Sequence, residues 1–107
     1  MKRSLHYYEF GPFRLNVTER LLQRDNEIVP LTPKVFDTLL VLVENNGHVV
    51  EKNELMQQLW PDSFVEESSL TQNVSLLRRA LSEVGSDKNY IKTIPKRGYR
   101  FVADVRE

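Results

Sequence analysis

The sequence predicts an α+β domain in which an N-terminal antiparallel sheet is followed by three helices and a C-terminal β-hairpin. Three observations indicate this order. Short segments of strand-forming residues, separated by turn residues, occupy positions 7–31. Apolar residues at helical spacing follow in three segments, and two strand-like segments close the chain. A chain of 107 residues is long enough for one modest hydrophobic core, so we expect one domain.

The N-terminal sheet is predicted to have up to four strands. The strand-like segments are residues 7–10, 13–15, 20–24 and 27–31. Gly11 and Pro12 mark the first turn, and residues 16–19 (NVTE) mark the second. Asp25 and Asn26 both tolerate a positive φ angle, which predicts a tight hairpin between the last two strands.

The first helix is predicted to begin at Thr32 and Pro33. Threonine is a favoured N-cap, and proline is tolerated at the first helical position because its missing N–H is no loss there. The spacing of the apolar residues predicts a buried face made of Val35, Phe36, Leu39, Leu40 and Val43. Asn46 and Gly47 are expected to end the helix, since both tolerate the left-handed conformation.

The second helix is predicted over residues 52–60, after a brief extended connector at residues 49–50. Its buried side chains are expected to be Leu55, Met56, Leu59 and Trp60. Pro61 ends this helix, because proline cannot continue one. Residues 61–64 form a loop. Phe64 is interpreted either as an aromatic side chain of a mobile loop or as a plug of the core, and we favour the core position.

The third helix is predicted over residues 66–84, ends at Gly85 and has two different faces. The apolar face consists of Leu70, Val74, Leu77 and Leu81. The opposite face has no acid between Glu67 and Glu83, and it carries Ser68, Thr71, Gln72, Ser75 and Arg79, with Arg78 at one margin and Leu76 at the other. Hydroxyl, amide and guanidinium groups bind phosphates and base edges, so this face indicates a nucleic-acid partner.

The last hairpin has predicted strands at residues 90–94 and 99–102. Tyr99 and Phe101 are expected to anchor it in the core, whereas the tip, residues 95–98, is basic. Three helices followed by such a hairpin is the order of a winged helix-turn-helix. In that arrangement the third helix fits a major groove, and the hairpin, or wing, reaches the adjacent backbone or minor groove.

The charge distribution favours a polyanion partner although the formal net charge is +0. Residues 88–100 contain five basic and no acidic side chains, whereas residues 51–67 contain five acidic side chains and one basic. One side of the domain is therefore expected to be basic and to face DNA. The alternative is a winged helix that binds protein, through the acidic middle of the chain and residues 61–64. The dependence of binding on salt concentration distinguishes these two hypotheses, because DNA binding weakens steeply as the salt concentration rises.

The basic residues also have simpler interpretations. Arg78 and Arg79 could pair with Glu83 or with acidic residues 66–67, although exposed ion pairs contribute only about 0–1 kcal/mol. The cationic tip of the hairpin could be an ordinary solvated turn that prevents pairing of strand edges. Its position beside an acid-free helix face favours the DNA interpretation.

The composition argues against several other classes of function. With no cysteine, the chain has no disulfide, thiolate zinc site or thiol chemistry. His6 and His48 are interpreted as surface residues, so neither a metal nor a cofactor is predicted. No phosphate loop or nucleophile elbow is present, and we predict that the protein is not an enzyme. No apolar run reaches the roughly 18 residues of a membrane span and no export signal is visible, so a cytoplasmic protein is expected.

Several motifs, in this order, resemble one known family across residues 8–102. They are residues 31–36 (LTPKVF), 49–50 (VV), 54–60 (ELMQQLW), 65–66 (VE), 77–81 (LRRAL) and 98–101 (GYRF). Together with the sheet that precedes them, they resemble the OmpR/PhoB-type winged-helix DNA-binding (effector) domain of bacterial transcriptional regulators. The ordered set carries the resemblance, since no single motif is very specific.

The resemblance implies a set of double-stranded DNA contacts. The groove-facing residues of the third helix would be Ser68, Thr71, Gln72, Asn73, Ser75, Arg78 and Arg79. Thr93 would bond a phosphate from the wing, Lys96 and Arg97 would extend the wing contact, and backbone contacts would come from Trp60, Thr32 and Lys34. The loop that touches RNA polymerase in some members would be Pro61, Asp62, Ser63 and Phe64.

Three positions depart from the family pattern. Ser75 and Leu76 stand where well-studied members often have arginines, and Pro95 stands at a wing position often filled by arginine. Base recognition is therefore expected to differ from that of those members. Lys96 and Arg97, which follow Pro95, would take over the role of the wing arginine.

The predicted organisation is a tail at residues 1–6, a DNA-binding domain at residues 7–103 and the start of a linker at residues 104–107. The favoured interpretation is a one-component regulator in which a sensor domain follows residue 107. The alternative is the effector domain of a two-component regulator, separated from its receiver domain. The resemblance also implies that pairs of such domains bind direct repeats in a promoter.

Overall fold

The computed structural model of the protein describes residues 6–82 and 89–107, and these ranges contain seven strands and three helices. The elements in chain order are β1 Tyr7–Phe10, β2 Phe13–Asn16, β3 Leu21–Arg24, β4 Glu27–Val29, α1 Pro33–Glu44, β5 Val49–Glu51, α2 Lys52–Leu59, α3 Glu67–Leu81, β6 Ile91–Ile94 and β7 Gly98–Phe101. The predicted order of an N-terminal sheet, three helices and a hairpin is confirmed.

The N-terminal sheet is an antiparallel meander with the strand order β1-β2-β3-β4. Asp25 and Asn26 have φ angles of 50° and 72°, as expected for a tight hairpin turn that follows the twist of its strands. Leu15 and Leu22 are opposite each other in the register and are both buried. The inner face of this sheet therefore covers one side of the hydrophobic core.

Helix α1 begins as predicted, with the Thr32 hydroxyl accepting a hydrogen bond from the Val35 N–H at 3.4 Å. Its buried face differs in part from the prediction: Leu42 is fully buried, whereas Leu40 is half-buried. Thr38 is also fully buried, and its hydroxyl donates to the carbonyl of Lys34 at 2.8 Å. This back-bond satisfies a hydroxyl that would otherwise be costly to bury.

The predicted connector at residues 49–50 is wrong, because these residues belong to strand β5. Strand β5 pairs antiparallel with β7, and the second sheet has the order β5-β7-β6. A Cβ atom at Gly98 would collide with the carbonyl oxygen of Val50, so only glycine fits this close approach of the two strands. The wing is therefore the outer part of a three-stranded sheet rather than a free hairpin.

The core lies where the helices meet the two sheets. Leu55 and Leu59 of α2 and the apolar face of α3 are buried against α1. Tyr90 lies edge-on to Phe10 with 5.8 Å between ring centroids, and Phe10 lies edge-on to Phe101 at 5.0 Å. These aromatic contacts connect the N-terminal sheet to the wing sheet.

Helix α3 is shorter than predicted. It begins at Glu67 and ends at Leu81, and Ser82 has extended backbone angles of −70° and 145°. The predicted end of the helix at residue 84 and at Gly85 lies outside the described residues. None of the three described helices is both long enough and apolar enough to cross a membrane.

The end of the chain packs against its beginning. The N–H of Glu9 donates to the carbonyl of Arg106 at 2.7 Å, and the N–H of Arg106 donates to the carbonyl of Glu9 at 2.8 Å. Val105 packs against the core, and the His6 ring nitrogen is 2.8 Å from a carboxylate oxygen of Glu107. Contacts with the domain therefore continue past residue 103.

Candidate nucleic-acid interface

Helix α3 separates its two faces as the sequence predicted. Leu70, Val74, Leu77 and Leu81 are buried. The side chains on the other side are exposed, and we call them the exposed face of α3: Ser68, Thr71, Gln72, Ser75, Leu76 and Arg79. Apart from Thr71, whose hydroxyl donates to the Glu67 carbonyl at 3.3 Å, no protein hydrogen bond involves these side chains in the described part of the chain. Their polar groups are available to a ligand.

Asn73 does not belong to this exposed face, although the family resemblance placed it among the DNA contacts. Its side chain is half-buried, and its Nδ2 lies 3.4 Å from the hydroxyl of Thr38 in α1. Asn73 therefore connects α3 to α1, and it supplies a donor to the hydroxyl of the fully buried Thr38.

Arg78 and Thr93 were both predicted to contact DNA, and the structure brings them into contact with each other. Nη2 of Arg78 donates to the Thr93 hydroxyl at 2.7 Å and to the Ile91 carbonyl at 3.0 Å. In the described ranges Nε of Arg78 is buried and lacks a hydrogen-bond partner. The half-buried guanidinium therefore joins α3 to strand β6, and no ion pair with Glu66 or Glu67 forms.

The tip of the wing is exposed and cationic. Lys96 has a φ angle of 63°, which lets the chain reverse between β6 and β7, and both Lys96 and Arg97 are exposed. Nη2 of Arg97 is 3.5 Å from a carboxylate oxygen of Glu51, but each side chain is 60% exposed. Such a solvated pair contributes little, so a phosphate can replace Glu51 as the partner of Arg97.

The residues predicted to contact the DNA backbone lie near the start of α1 and the end of α2. Thr32 and Lys34 are exposed, and the Lys34 ammonium donates to the carbonyl of Leu59. The same nitrogen is 5.8 Å from the centroid of the Trp60 ring, and Trp60 packs against the core as the sequence predicted. Because an ammonium has three donors, Lys34 keeps two for another acceptor.

The prediction that Phe64 packs into the core is wrong, because its side chain is 100% exposed. Pro61 ends α2, and the chain then runs over the surface until Val65, which is half-buried, starts the approach to α3. The whole predicted polymerase loop, Pro61, Asp62, Ser63 and Phe64, is exposed. A cavity of about 250 Å³ opens beside it, and its apolar lining includes Met56, Trp60 and Val65.

Acidic residues at the edge of this surface are balanced locally. Glu67 lies in the first turn of α3, where a negative charge stabilises the helix, and one of its carboxylate oxygens is 3.3 Å from the Lys52 ammonium. In residues 6–82 and 89–107 no group of three or more histidine, cysteine, aspartate or glutamate side chains could hold a metal ion. The polar and basic groups of this surface are suited to binding an anion.

The family described as "Transcriptional regulatory protein, C terminal" matches residues 25–101. The chain belongs to this family. Its relatives include the transcriptional regulator HilA of Salmonella typhimurium, which is 40% identical over 94 residues, or 88% of the chain and 17% of HilA. The chain thus spans about a sixth of the length of that relative.

Solved structures of this family have the same fold. The DNA-binding domain of E. coli CadC superposes with a TM-score of 0.84 at 28% identity, over 96% of the chain and 98% of the CadC domain. The response regulator DrrB of Thermotoga maritima, an OmpR/PhoB homologue, gives a TM-score of 0.80 at 29% identity, over 94% of the chain and 45% of DrrB. The predicted OmpR/PhoB-type winged-helix fold and the predicted role in transcription regulation are confirmed.

Leu76 belongs to the exposed face of α3, although the helical period predicts it only at the margin of that face. Its side chain is 40% exposed, and it lies one helical turn from both Gln72 and Arg79. Leu76 follows Gln72 by four residues and precedes Arg79 by three. This spacing is the sequence signal that could have placed Leu76 on the exposed face.

Proposed function

We propose that this winged-helix domain of a transcriptional regulator binds double-stranded DNA in a sequence-specific manner, with α3 in the major groove and the wing on the minor groove or the backbone. The observation that carries the proposal is the exposed face of α3, which has no acidic residue between Glu67 and Leu81 and which Arg78 connects to the strand that leads into the cationic wing tip. The major groove is wide enough for one helix, and hydroxyl, amide and guanidinium groups match the donors and acceptors of base edges and phosphates.

The contacts divide by role in this proposal. Gln72 and Arg79 lie at the centre of the exposed face and read bases or bind phosphates, while Lys96 and Arg97 bind backbone phosphates from the wing. Lys34 supplies a further phosphate contact with its two remaining donors. Arg78 and Thr93 hold the helix and the wing in the geometry that lets both reach one duplex.

The exposed loop supports a second contact, with protein. Phe64 is fully exposed beside the cavity lined by Met56, Trp60 and Val65. An exposed aromatic side chain beside a cavity with both apolar and polar lining residues is typical of a protein-binding surface. We infer that residues 61–64 contact RNA polymerase when the domain is bound at a promoter, in pairs on direct repeats.

The domain is proposed to act within a longer regulator that contains a sensor or receiver domain. Support comes from two longer regulators, because the region that matches this chain makes up only 17% of HilA and 45% of DrrB. Because bacterial DNA lies in the cytoplasm, the proposed function requires this domain to face that compartment.

The test is a titration of the domain with a duplex selected from random DNA and with an unrelated duplex, at several salt concentrations. We expect the logarithm of the association constant to fall linearly with the logarithm of salt, with a slope of about −0.9 per contacted phosphate. Gln72→Ala should change the preferred base at one position, because a bidentate base contact discriminates by about 1–3 kcal/mol.

The matched control is Gln23→Ala in strand β3, which removes the same side chain far from α3 and should leave the selected sequence unchanged. Salt-independent association, or none, would favour the module that binds protein without DNA. If Gln72→Ala weakens all duplexes equally, Gln72 contacts the backbone and reads no base.

A further inference from the structure

Leu76 is an apolar side chain in the middle of a polar surface. It is 40% exposed, whereas the leucines of the opposite side of α3, such as Leu70 and Leu77, are fully buried. Gln72 precedes it by one turn and Arg79 follows it by one turn, and both are exposed. Leu76 is therefore directed toward the same partner as the polar groups of this face.

The surroundings of Leu76 favour DNA over protein as that partner. The other large apolar side chains exposed in residues 6–82 and 89–107 are Ile28, Phe64 and Val102, and none of them lies on α3. A single leucine among polar groups is much smaller than the apolar centre of a protein–protein interface. It matches a ligand that presents one apolar group among many polar ones.

We propose that Leu76 selects a thymine by packing against its C5-methyl group in the major groove. Thymine is the base whose major-groove edge carries a methyl group, and apolar side chains contact it there. Against any other base, leucine would cover donors or acceptors without replacing their hydrogen bonds to water, which weakens binding. This inference rests on the proposed function, and it specifies one base of the DNA site.

Replacing thymine by deoxyuridine isolates this contact, because it removes the methyl group and leaves every hydrogen-bonding atom in place. In the duplex selected from random DNA, each thymine is replaced in turn, and the affinity of the wild-type domain is compared with that of Leu76→Ala. Loss of one buried methyl group is expected to weaken binding about fourfold. We expect one thymine to show this loss with the wild type and to show almost none with Leu76→Ala.

The matched control is Ile28→Ala, which shortens an exposed apolar side chain of strand β4. It should retain both the affinity and the deoxyuridine sensitivity of the wild type. Because Leu76 is partly exposed, Leu76→Ala should fold, which its urea midpoint and its circular dichroism check. The deoxyuridine series with the wild type does not depend on that variant.

Three results would overturn the inference. Wild-type binding that is insensitive to deoxyuridine at every thymine excludes a methyl contact while leaving DNA binding intact. Sensitivity that is equal in Leu76→Ala and the wild type assigns the methyl contact to another residue. Failure to select any duplex would overturn the proposed function together with this inference.

Discussion

The guanidinium of Arg78 has a structural role between two elements that are predicted to touch DNA. It donates from α3 to both the Ile91 carbonyl and the Thr93 hydroxyl of β6. Both bonds come from one terminal nitrogen, Nη2, which carries two N–H donors at the end of a side chain longer than that of lysine. This side chain is therefore one of the contacts that fix the orientation of the wing relative to α3, together with the pairing of β5 and β7.

We predict that Arg78→Lys lowers the free energy of unfolding by about 1–3 kcal/mol, since hydrogen bonds made by a charged donor contribute in this range. Urea denaturation followed by circular dichroism measures the change. Thr93→Val is the matched comparison: it removes one acceptor, leaves the Ile91 bond and should cost less. An unchanged urea midpoint for Arg78→Lys would show that the bridge adds nothing to stability.

Single residues also show what a pattern in the sequence can and cannot predict. The helical period correctly placed Ser68, Thr71 and Arg79 on an exposed face. The partner of Asn73 could not be read in the same way, because Thr38 lies 35 residues earlier in another helix and the contact depends on how α1 and α3 cross. The burial of Phe64 was wrongly inferred from its apolar character, which does not determine the path of a surface loop.

At the scale of the element, the wing is stiffened by strand β5, whose residues 49–50 the sequence predicts only as a connector. A segment of three residues is too short to show the alternation of buried and exposed side chains that predicts a strand. Strand β5 is therefore recognised only from its pairing with β7. Pairing of Val50 with Tyr99 depends on Gly98, which alone permits the close approach. The turns of the N-terminal sheet were easier to predict, since Asp25 and Asn26 have a local preference for positive φ.

For the wing we predict that Lys96→Ala combined with Arg97→Ala weakens binding to all duplexes and makes the salt slope less negative by about one unit per lost phosphate contact. The measurement is the same salt titration. The matched control, Arg14→Ala with Arg24→Ala, removes the same charge from the N-terminal sheet. An equal change in both double variants would indicate an effect of net charge rather than a wing contact.

At the scale of the whole molecule, the two ends of the described chain meet on the N-terminal sheet. Arg106 pairs with Glu9, and Val105 packs against the core. The pKa of Tyr8 is raised by its partial burial and further by the carboxylates of Glu44 and Glu107. The apolar pattern ended near residue 103, so the backbone pairing that continues beyond it left no signal in the sequence.

We predict that deletion of residues 104–107 lowers the free energy of unfolding by about 1–3 kcal/mol, because it removes two backbone hydrogen bonds, each with a net contribution of roughly 0.5–1.5 kcal/mol. Packing of Val105 adds to this loss. Urea denaturation of the full and the shortened chain measures it. Equal stability of the two chains would assign the last four residues to a linker that makes no contribution to the fold.

The backbone bond from the Lys52 N–H to the Arg97 carbonyl, at 2.9 Å, has a consequence for the DNA that this domain can occupy. Helix α2 starts directly after β5, and β5 pairs with β7, the outgoing arm of the hairpin, so backbone hydrogen bonds join the helices to the hairpin. Successive nucleotides of a strand are about 3.4 Å apart along the duplex axis. In the proposed complex, inserting one base pair between the contacts of α3 and those of the hairpin would put the two sets of contacts out of register. The domain would then measure a length along DNA as well as an order of bases.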